Sequence, residues 1–398
     1  MSDDSDHTLD TYLQHAAMAP LDQDTGTAPV PLPSMRASTI RFRSLDALDQ
    51  TARRKAAGSR EQTYGRAGMA THRALEDIFC EIEHGSHAFL APSGMAAITL
   101  ALLSLLGSGD TVLVADCAYA PVRRLDQGVL SRMGIAVQYS RADAASLEQS
   151  LTPETRVLYV ESPGSLLLEM LDMPMLADFA RKHNLILVTD NTWGTGGLYY
   201  PLDLGVDVSV IAGTKYVAGH SDLMLGAVVL NDRALADRID ETHYAMGYAI
   251  SADDVWLAIR GARTMPLRLR QSAAGGLQVA QWLAGQPAVK QVYHPAFPED
   301  AGHALWQRDC HGSNGLLSIA LDCDVKAARR FVDALTLFGI GFSWGGFESL
   351  VQLVNPGMLE PHGYWQGQQG RQLVRLYVGL ESPDDLIADL RQALQALD

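Results

Sequence analysis

Apolar residues recur along the chain at regular spacings, and these spacings predict its helices. Between Arg73 and His84 they stand three and four positions apart, which is the stripe of an amphipathic helix. From Met95 to Leu106 almost every residue is apolar, so this stretch predicts a helix that is buried on all sides. The turn Pro92-Ser93-Gly94 leads directly into it.

Short runs rich in β-branched residues predict the strands. They are His87–Ala91, Thr111–Ala115, Arg156–Val160, Leu185–Thr189 and Val206–Ile211. Helical patterns, notably Met173–His183, separate them. This alternation predicts an α/β fold with a mainly parallel sheet and helices on both of its faces.

The pattern changes after about residue 260 and predicts a second, smaller α+β domain. Arg263–Leu283 predicts a long helix and Leu316–Leu321 a strand. A final helix is predicted after Ser382, with Pro383 at its first position. We therefore expect a large domain over 61–260 and a small C-terminal domain over 261–398.

The first 60 residues predict an N-terminal arm. Its first thirty or so residues are expected to be loosely structured, and alternate prolines at Pro29, Pro31 and Pro33 favour an extended path. Such a segment has too little apolar surface to fold alone. It would either fray in solvent or lie across a neighbouring subunit.

Composition narrows the class of protein. The 398 residues carry 31 basic and 46 acidic side chains, a net charge of −15, which argues against nucleic acid or an anionic membrane as the main partner. No run of apolar residues is long enough to span a bilayer, and Met1–Asp6 does not resemble a signal peptide. Four cysteines without metal-binding spacing favour reduced thiols and a cytoplasmic location.

Two charged residues at the ends of predicted strands point to a cofactor. Asp190 ends one buried strand and Lys215 follows the next, so both would reach the edge of the sheet where α/β proteins bind ligands. Pyridoxal 5′-phosphate would explain both, as a Schiff base on Lys215 with its ring nitrogen paired to Asp190. The alternative is that the two residues form a surface loop pair.

Further residues would complete such a site. Gly94 and Met95 begin the buried helix, whose first N–H groups suit a phosphate, although an ordinary serine-capped turn is the alternative. Thr214 offers a hydroxyl to the same phosphate. Tyr119 would stack on the cofactor ring or simply pack in the core. Arg375, within an apolar strand, would bind a substrate carboxylate or face solvent.

These residues occur within a set of motifs that resembles a known family, the Cys/Met-metabolism pyridoxal-phosphate enzymes of fold type I. The motifs, which cover the chain from about Pro31 to its end, are Tyr64-Gly-Arg66, Ser93-Gly-Met95, Glu161-Ser-Pro163, Asp190-Asn-Thr-Trp193, Thr214-Lys-Tyr216, Gly219-His-Ser-Asp222 and residues 343–349. Ser343 and Trp344, together with Glu161–Ser165, most resemble the bacterial β-lyase branch.

The resemblance implies a transferase-like large domain and a carbon–sulfur β-lyase that cleaves L-cystathionine to homocysteine, pyruvate and ammonia. The γ-acting relatives, or a β-lyase for cystine or cysteine, are the alternatives. It also implies a homo-oligomer, a dimer of dimers, with the N-terminal arm on the neighbouring subunit.

The resemblance also implies roles for individual residues. Lys215 would hold the cofactor and move a proton, acting as a catalytic residue with Tyr64 and Tyr119. The cofactor would be bound by Asp190, Tyr119, Gly94, Met95 and Thr214 of one subunit and by Tyr64 and Arg66 of its neighbour. Arg375, Ser343 and Trp344 would bind the substrate.

The chain departs from the family pattern at two positions. Ala67 stands where relatives often have an arginine thought to help with the far end of the substrate, so recognition of that end is open. Gly213 stands where many relatives have serine or alanine, which would remove at most one phosphate hydrogen bond.

Other classes fit the sequence less well. Gly194–Gly197 lacks the last glycine of a nicotinamide-binding loop. The chain has neither the length nor the basic charge for an added DNA-binding domain. Neither His84 and His87 nor the group His294, His303 and His311 has the spacing of metal ligands, so no metal site is expected.

Overall fold

The protein is described here from a computed structural model that covers residues 7–366, 368 and 370–397. Met1–Asp6, for which the sequence predicts no signal peptide, lies outside the described residues. Within the described residues the larger sheet has seven strands. They are β1 (His87–Ala91), β2 (Thr111–Ala115), β3 (Ala136–Ser140), β4 (Thr155–Glu161), β5 (Ile186–Asp190), β6 (Val208–Ile211) and β7 (Gly226–Leu230).

The sheet order is β1-β7-β6-β5-β4-β2-β3. Strands β2 to β6 run parallel, whereas β7 pairs antiparallel with both β1 and β6. The prediction of a mainly parallel sheet is confirmed, and the five predicted strands are present with small shifts at their ends. Strands β3 and β7 were not predicted.

Helices alternate with these strands and continue beyond them. They are α1 (Leu9–His15), α2 (Leu45–Ala56), α3 (Ala70–Glu83), α4 (Gly94–Leu105), α5 (Val122–Leu125), α6 (Ala144–Ser150), α7 (Met173–Lys182), α8 (Arg233–Met246), α9 (Ala252–Ala284), α10 (His303–Asp309), α11 (Val325–Ala334) and α12 (Pro383–Leu394). The helices predicted over 73–84, 95–106 and 173–183 correspond to α3, α4 and α7.

Both faces of the larger sheet are buried against helices. Because successive side chains of a strand point to opposite faces, Leu113 packs in one core with residues of α3, α7 and α9. Its neighbours Val112 and Val114 pack in a second core with residues of α4 and α8. The arrangement confirms the predicted α/β fold with helices on both faces.

A smaller sheet lies in the C-terminal part of the chain. Its strands are β8 (Val289–Tyr293), β9 (Leu316–Leu321), β10 (Gly339–Ile340), β11 (Leu350–Leu353) and β12 (Gln372–Tyr377), in the order β10-β11-β12-β9-β8. Residues of α9, α11 and α12 pack with this sheet in a third core. The predicted α+β unit is therefore present.

Helix α9 connects the two cores and begins earlier than the sequence predicted. It runs without a break from Ala252 to Ala284, with Pro266 inside it, whereas the pattern predicted its start near Arg263. Val255 packs in a core of the larger sheet and Val279 in the core of the smaller one. The division of the chain between residues 260 and 261 therefore falls within one helix and stays a prediction.

The first thirty residues contain a helix that the sequence pattern does not predict. Helix α1 lies on the same chain, with Leu13 fully buried and the Gln14 side chain donating to the backbone carbonyl of Arg263 at 2.6 Å. Helix α1 is short and mostly polar, so its stability comes from burying Leu13 rather than from a local pattern. The expectation of a loose segment is wrong at Leu9–His15, while contact with a neighbouring subunit stays a prediction.

Candidate active site

A cavity of about 540 Å³ opens at the carboxyl edge of the parallel strands, where the larger sheet meets the smaller one. Its wall includes nine of the residues predicted from sequence: Gly94, Met95, Tyr119, Asp190, Thr214, Lys215, Ser343, Trp344 and Arg375. They come from positions that are far apart in sequence, and α/β folds bind ligands at this edge. The structure therefore brings Asp190 and Lys215 to one site, as the sequence predicted.

Lys215 lies in the turn after β6, held by backbone hydrogen bonds from its own N–H to the Ala212 carbonyl and from Gly219 to its carbonyl. Its Nζ donates to Ser343 Oγ at 2.6 Å and lies 5.1 Å from the centre of the Trp344 ring. Burial, followed by the charge of Arg375, lowers the pKa of Lys215 to about 8. Part of the amine is thus neutral and nucleophilic near neutral pH.

The loop opposite Lys215 comes unusually close to it. Ser343 has a positive φ of 88°, which is uncommon for a residue with a side chain. Gly345 follows with a φ of 91°, and a Cβ there would lie 3.0 Å from Lys215 Cβ. The glycine allows the backbone of the loop to pack directly on Lys215. This close packing brings Ser343 Oγ within hydrogen-bonding distance of Lys215 Nζ.

Asp190 ends β5 beneath the cavity and is buried. Its Oδ1 accepts the backbone N–H of Thr192 at 2.9 Å, and burial raises the pKa of the carboxyl. The next residue, Asn191, donates from its amide to both oxygens of Glu83 at 3.0 and 2.9 Å. Ser209 of β6 donates to Glu83 Oε2 at 2.7 Å. This buried network fixes the chain directly after Asp190.

The start of helix α4 forms one wall of the cavity. Ser93 caps the helix by accepting the N–H of Ala96 at 3.1 Å. A Cβ on Gly94 would lie 2.6 Å from Ala212 Cβ, so only glycine allows the helix start to pack this closely on the Lys215 turn. The first N–H groups of α4 lie at the cavity, where they are suited to bind an anion.

Thr214 also lines the cavity, but its hydroxyl has partners within the chain. It donates to the Leu225 carbonyl at 3.0 Å and accepts the Leu225 N–H at 2.8 Å. These bonds close the turn around Lys215. The hydroxyl proton is therefore engaged, and phosphate binding by Thr214 stays a prediction.

Arg375 and Glu161 form a second charged part of the wall. Arg375 comes from β12, its side chain lines the cavity, and burial lowers its pKa to about 10. Glu161 ends β4 in register with Asp190, and its Oε2 accepts the N–H of Tyr119 at 2.6 Å. Burial and the charge of Asp190 raise the pKa of Glu161 well above its usual range. This carboxyl group holds the segment that carries the Tyr119 ring.

Several lining residues were not singled out as site residues from the sequence, among them Arg124, Glu161, Gln352 and His362. Glu161 was detectable as a charged residue at the end of an apolar run, in the same pattern as Asp190. Arg124 lies in the short helix α5, which has no periodic signal, and His362 lies in a loop of the C-terminal part.

Tyr64 and Arg66 do not line the cavity of their own chain. The Tyr64 side chain is exposed, and the Arg66 guanidinium lies 4.4 Å from the centre of the Tyr244 ring while donating to the Tyr244 carbonyl at 3.0 Å. The family resemblance of the sequence predicts that both residues reach the site of a neighbouring subunit. That assignment stays a prediction.

The described residues give no sign of a metal centre. His294 is buried with its Nε2 on the Asn314 carbonyl, and His303 contacts the Pro295 carbonyl. Throughout the described chain no three His, Cys, Asp or Glu side chains are grouped as metal ligands.

None of the described helices is both long and apolar enough to cross a bilayer. Cys80, Cys117, Cys310 and Cys323 form no disulfide.

The chain is similar to known enzymes over nearly its whole length. Residues 10–395 match the family described as "Cys/Met metabolism PLP-dependent enzyme". The chain is 62% identical over 396 residues to the cystathionine beta-lyase of Bordetella avium, with 99% of each chain covered. It is 39% identical over 363 residues to the cystathionine beta-lyase MetC of Escherichia coli (strain K12), with 89% of this chain and 91% of the relative covered.

Solved structures of related enzymes share the fold. The crystal structure of cystathionine gamma synthase from Xanthomonas oryzae pv. oryzae in complex with cystathionine superposes with a TM-score of 0.88 at 31% identity, covering 99% of both chains. Because 99% of both chains is covered, the similarity includes the larger and the smaller sheet.

Proposed function

The chain belongs to the Cys/Met metabolism PLP-dependent enzyme family, and from this premise we propose that it is a carbon–sulfur β-lyase that acts on L-cystathionine. The reaction takes up one water, breaks the Cβ–S bond, and releases homocysteine, pyruvate and ammonia. The observation that carries the proposal is the 62% identity, over 99% of both chains, to a relative named for this activity. Ser343 and Trp344, which resemble the β-lyase branch, contact Lys215 in the cavity.

The residues of the cavity fit pyridoxal phosphate. Lys215 provides an amine whose pKa of about 8 leaves it partly neutral, as attack on an aldehyde requires. Asp190 accepts a protein hydrogen bond on Oδ1, from Thr192, and would hold a proton on the ring nitrogen with its other oxygen. The start of α4 at Gly94 and Met95 supplies N–H groups and the positive end of a helix for the phosphate. Thr214 is a further candidate for the phosphate.

When bound, pyridoxal phosphate supplies an electron sink that stabilises negative charge at the substrate Cα. Lys215 would remove the Cα proton and return a proton to the product. Its neighbour Ser343 would orient the amine by accepting a hydrogen bond, and Trp344 would exclude water from one side of it. The lowered pKa suits a group that must both accept and donate a proton near neutral pH.

Arg375 would bind the substrate α-carboxylate, because its guanidinium lines the cavity and is buried enough for its pKa to fall to about 10. Tyr119 would stack on the cofactor ring, with its backbone held by Glu161. These assignments place the substrate between β12 and the turn after β6. The proton to be removed would then face Lys215.

The family relationship supports a shared site as well. We propose a homo-oligomer, a dimer of dimers, in which Tyr64 and Arg66 reach the neighbouring subunit's cavity and the N-terminal arm lies on that subunit. The exposure of Tyr64 and the position of Arg66 outside its own cavity agree with this. We also propose a cytoplasmic location, which the four unpaired thiols favour.

A γ-acting enzyme is the second candidate, because the superposed relative is named cystathionine gamma synthase. One experiment separates the two. The purified protein, loaded with cofactor, is incubated with L-cystathionine and the keto acid is identified by mass spectrometry. Pyruvate supports β-elimination, whereas 2-oxobutyrate would assign γ-elimination and overturn the proposal.

A further inference from the structure

Two sequence motifs beside the candidate site contain residues that the proposed mechanism does not use. One motif, residues 219–222, belongs to the turn after β6 that carries Lys215, here called the lysine turn (residues 212–222). The other motif, residues 343–349, is the loop that brings Ser343 to the amine, here called the serine loop. The parts of both segments that lie beyond the amine make a second contact with each other.

This second contact is a hydrogen bond between a hydroxyl and a carboxylate. Ser221 Oγ, in the lysine turn, donates to Glu348 Oε1, in the serine loop, at 2.5 Å. Within the described part of the chain, one other side-chain hydrogen bond joins the two segments, and it runs from Lys215 Nζ to Ser343 Oγ. The serine loop is therefore tied to the lysine turn near both of its ends.

The backbones between these two hydrogen bonds are closely packed. A Cβ on Gly346 would lie 2.3 Å from Ser221 Oγ, and a Cβ on Gly345 would lie 3.0 Å from Lys215 Cβ. The two glycines therefore allow the serine loop to lie directly on the lysine turn. Because the segments are in contact along their length, a loop that moved at its far end would also displace Ser343.

The smaller sheet holds the other side of the serine loop. The Tyr377 hydroxyl, at the end of β12, donates to the Gly346 carbonyl at 2.9 Å. Ser349 donates from its backbone N–H and from its hydroxyl to the two oxygens of Glu381, at 2.8 and 2.9 Å. These bonds fix the loop on the smaller sheet, whereas the bond between hydroxyl and carboxylate described above joins it to the larger one.

The contact has two features that lower stability. Ser221 has a positive φ of 57°, which is uncommon for a residue with a side chain. Glu348 Oε2 is buried and has no hydrogen-bond partner among the described residues, which costs free energy because the oxygen has lost its water. Strain and unsatisfied polar atoms of this kind occur where a functional site requires them.

The two hydrogen bonds also differ in what the proposed chemistry does to them. Lys215 Nζ binds the cofactor and moves a proton, so its bond to Ser343 cannot hold the loop throughout the reaction. We propose that Glu348 is a positioning residue, which acts through Ser221 to keep Ser343 and Trp344 beside Lys215 while the amine reacts. The inference rests on the proposed function, since that function makes Lys215 the reacting amine.

The test compares Glu348→Ala and Ser221→Ala with the control Asp333→Ala, which removes an exposed carboxylate of α11. We expect both variants of the contact to lower kcat for pyruvate formation from L-cystathionine about tenfold, with KM changed less than about twofold, because the amine is misplaced and the substrate-binding arginine is not. Glu348→Gln keeps an oxygen that accepts from Ser221 and should retain most of the activity. The control should behave like the unmodified protein.

The pH dependence of cofactor uptake by the stripped protein provides a readout that does not depend on activity. Burial is the largest cause of the lowered pKa of Lys215, so a loosened loop that admits water should move the midpoint from about 8 towards 10.5. The charged groups that face the amine, Asp190 of β5 and Arg375 of β12, are unchanged in these variants. Loss of the negative charge of Glu348 alone would move the midpoint to lower pH, and Ser221→Ala retains that charge.

A double variant shows whether the two side chains act through one bond. In that case Ser221→Ala combined with Glu348→Ala should move the midpoint no further than either substitution alone. Effects that add up would mean that the residues act separately, and this result would overturn the proposal. Unchanged midpoints in both single variants would also overturn it, whatever happens to stability, because the contact would then be structural only.

Two further outcomes are covered by the same set of variants. If Glu348→Ala does not fold, Ser221→Ala decides, because it removes only the hydroxyl of an exposed residue. If the unmodified enzyme forms no pyruvate from L-cystathionine, the proposed function fails. The midpoint of cofactor uptake still tests the role of Glu348 in that case.

Discussion

The Nζ atom of Lys215 donates a hydrogen bond to Ser343 Oγ at 2.6 Å, across 128 positions of sequence. Lys215 follows a strand of the larger sheet, and Ser343 precedes a strand of the smaller one. The bond therefore joins the two parts of the fold at the amine on which the proposed chemistry depends. Both sheets therefore set the orientation of the Lys215 amine, and a substitution that moves either sheet should change that orientation.

The lowered pKa of Lys215 predicts how the stripped protein takes up its cofactor. Below its pKa the amine is protonated and cannot attack an aldehyde, so the uptake rate should rise with pH and reach half its maximum near pH 8. An ordinary lysine would place the midpoint near 10.5. Stopped-flow absorbance measures the rate.

Two variants complete this experiment. Lys215→Ala should give no stable visible absorbance band at any pH. Lys182→Ala, which removes a surface lysine paired with Glu148, should behave like the unmodified protein. A visible band that persists in Lys215→Ala would disprove the assignment of this lysine.

Arg375 should control both the affinity for amino acids and the titration of Lys215. Arg375→Ala removes a partly buried cation from the cavity. We expect KM to rise about a hundredfold, because the variant would lose the ion pair with the substrate carboxylate, and losing a buried ion pair costs roughly 2–5 kcal/mol. Because Arg375 helps to lower the pKa of Lys215, the midpoint of cofactor uptake should also move to higher pH.

The matched control is Arg371→Ala, at the residue just before β12, where the guanidinium contacts Gln368 instead of the cavity. Steady-state kinetics and the pH dependence of uptake are measured on the same preparations. An unchanged KM in Arg375→Ala would exclude Arg375 from substrate binding.

The positive φ of Ser343 predicts that two small substitutions differ in their effect on stability. Alanine removes the hydroxyl but keeps the Cβ at a φ of 88°. Glycine also removes the hydroxyl but adopts this φ without strain, so Ser343→Gly should be more stable than Ser343→Ala by about 1 kcal/mol. Urea unfolding of both variants measures the difference. Equal stabilities would show that the loop is not strained.

The sequence was sufficient to predict which edge of the larger sheet carries the candidate active site, because the ends of strands follow from the apolar runs. Asp190 and Lys215 each stand just after such a run, and parallel strands end at the same edge. Glu161 obeys the same rule and pairs in register with Asp190. These positions depend on local pattern, which is why they could be located without a structure.

Other features depend on tertiary contacts that no local pattern contains. Strand β3 was missed because it is a half-exposed edge strand, and β7 because it begins at Gly226 and pairs antiparallel with β6 and β1. The bond between Lys215 and Ser343 requires a positive φ at a serine, which the sequence does not indicate. Arg124 belongs to the site only because of how α5 is placed.

Glu83 should make the stability of the protein depend on pH. Its burial raises the pKa to about 8 in the folded state, from an ordinary value of 4.5. Between these values the folded protein holds a proton that the unfolded chain has lost. The contribution of Glu83 is therefore fully present below about pH 4.5 and is lost as pH rises towards 8.

The variant Glu83→Gln tests the direction of this dependence of stability on pH. Glutamine stays neutral and still accepts from Ser209, so the stability advantage of the unmodified protein over the variant should shrink as pH rises from 5 to about 8. Glu83→Ala leaves Asn191 and Ser209 without their partner and should cost about 2–4 kcal/mol of the free energy of unfolding. Urea unfolding at several pH values measures both. A difference between the glutamine variant and the unmodified protein that is independent of pH would contradict the assigned protonation.

The proposed sharing of the site between subunits predicts that two inactive variants restore each other. A Lys215→Ala subunit lacks its own amine but still offers Tyr64 and Arg66 to a neighbour. A subunit with Tyr64→Ala and Arg66→Ala keeps its own Lys215 amine but contributes neither side chain to the site of its neighbour.

In a mixed dimer one of the two sites is complete. Equal amounts of the two variants are unfolded together and refolded with cofactor. Half of the dimers should then be mixed, and each mixed dimer has one intact site out of two. The mixture should therefore recover about a quarter of the activity of the unmodified protein. Pyruvate formation measures the recovery, and each variant refolded alone is the control. The structure also allows a purely local role, because Arg66 contacts Tyr244 of its own chain. In that case the mixture would recover no more activity than the sum of its parts, and the shared site would be wrong.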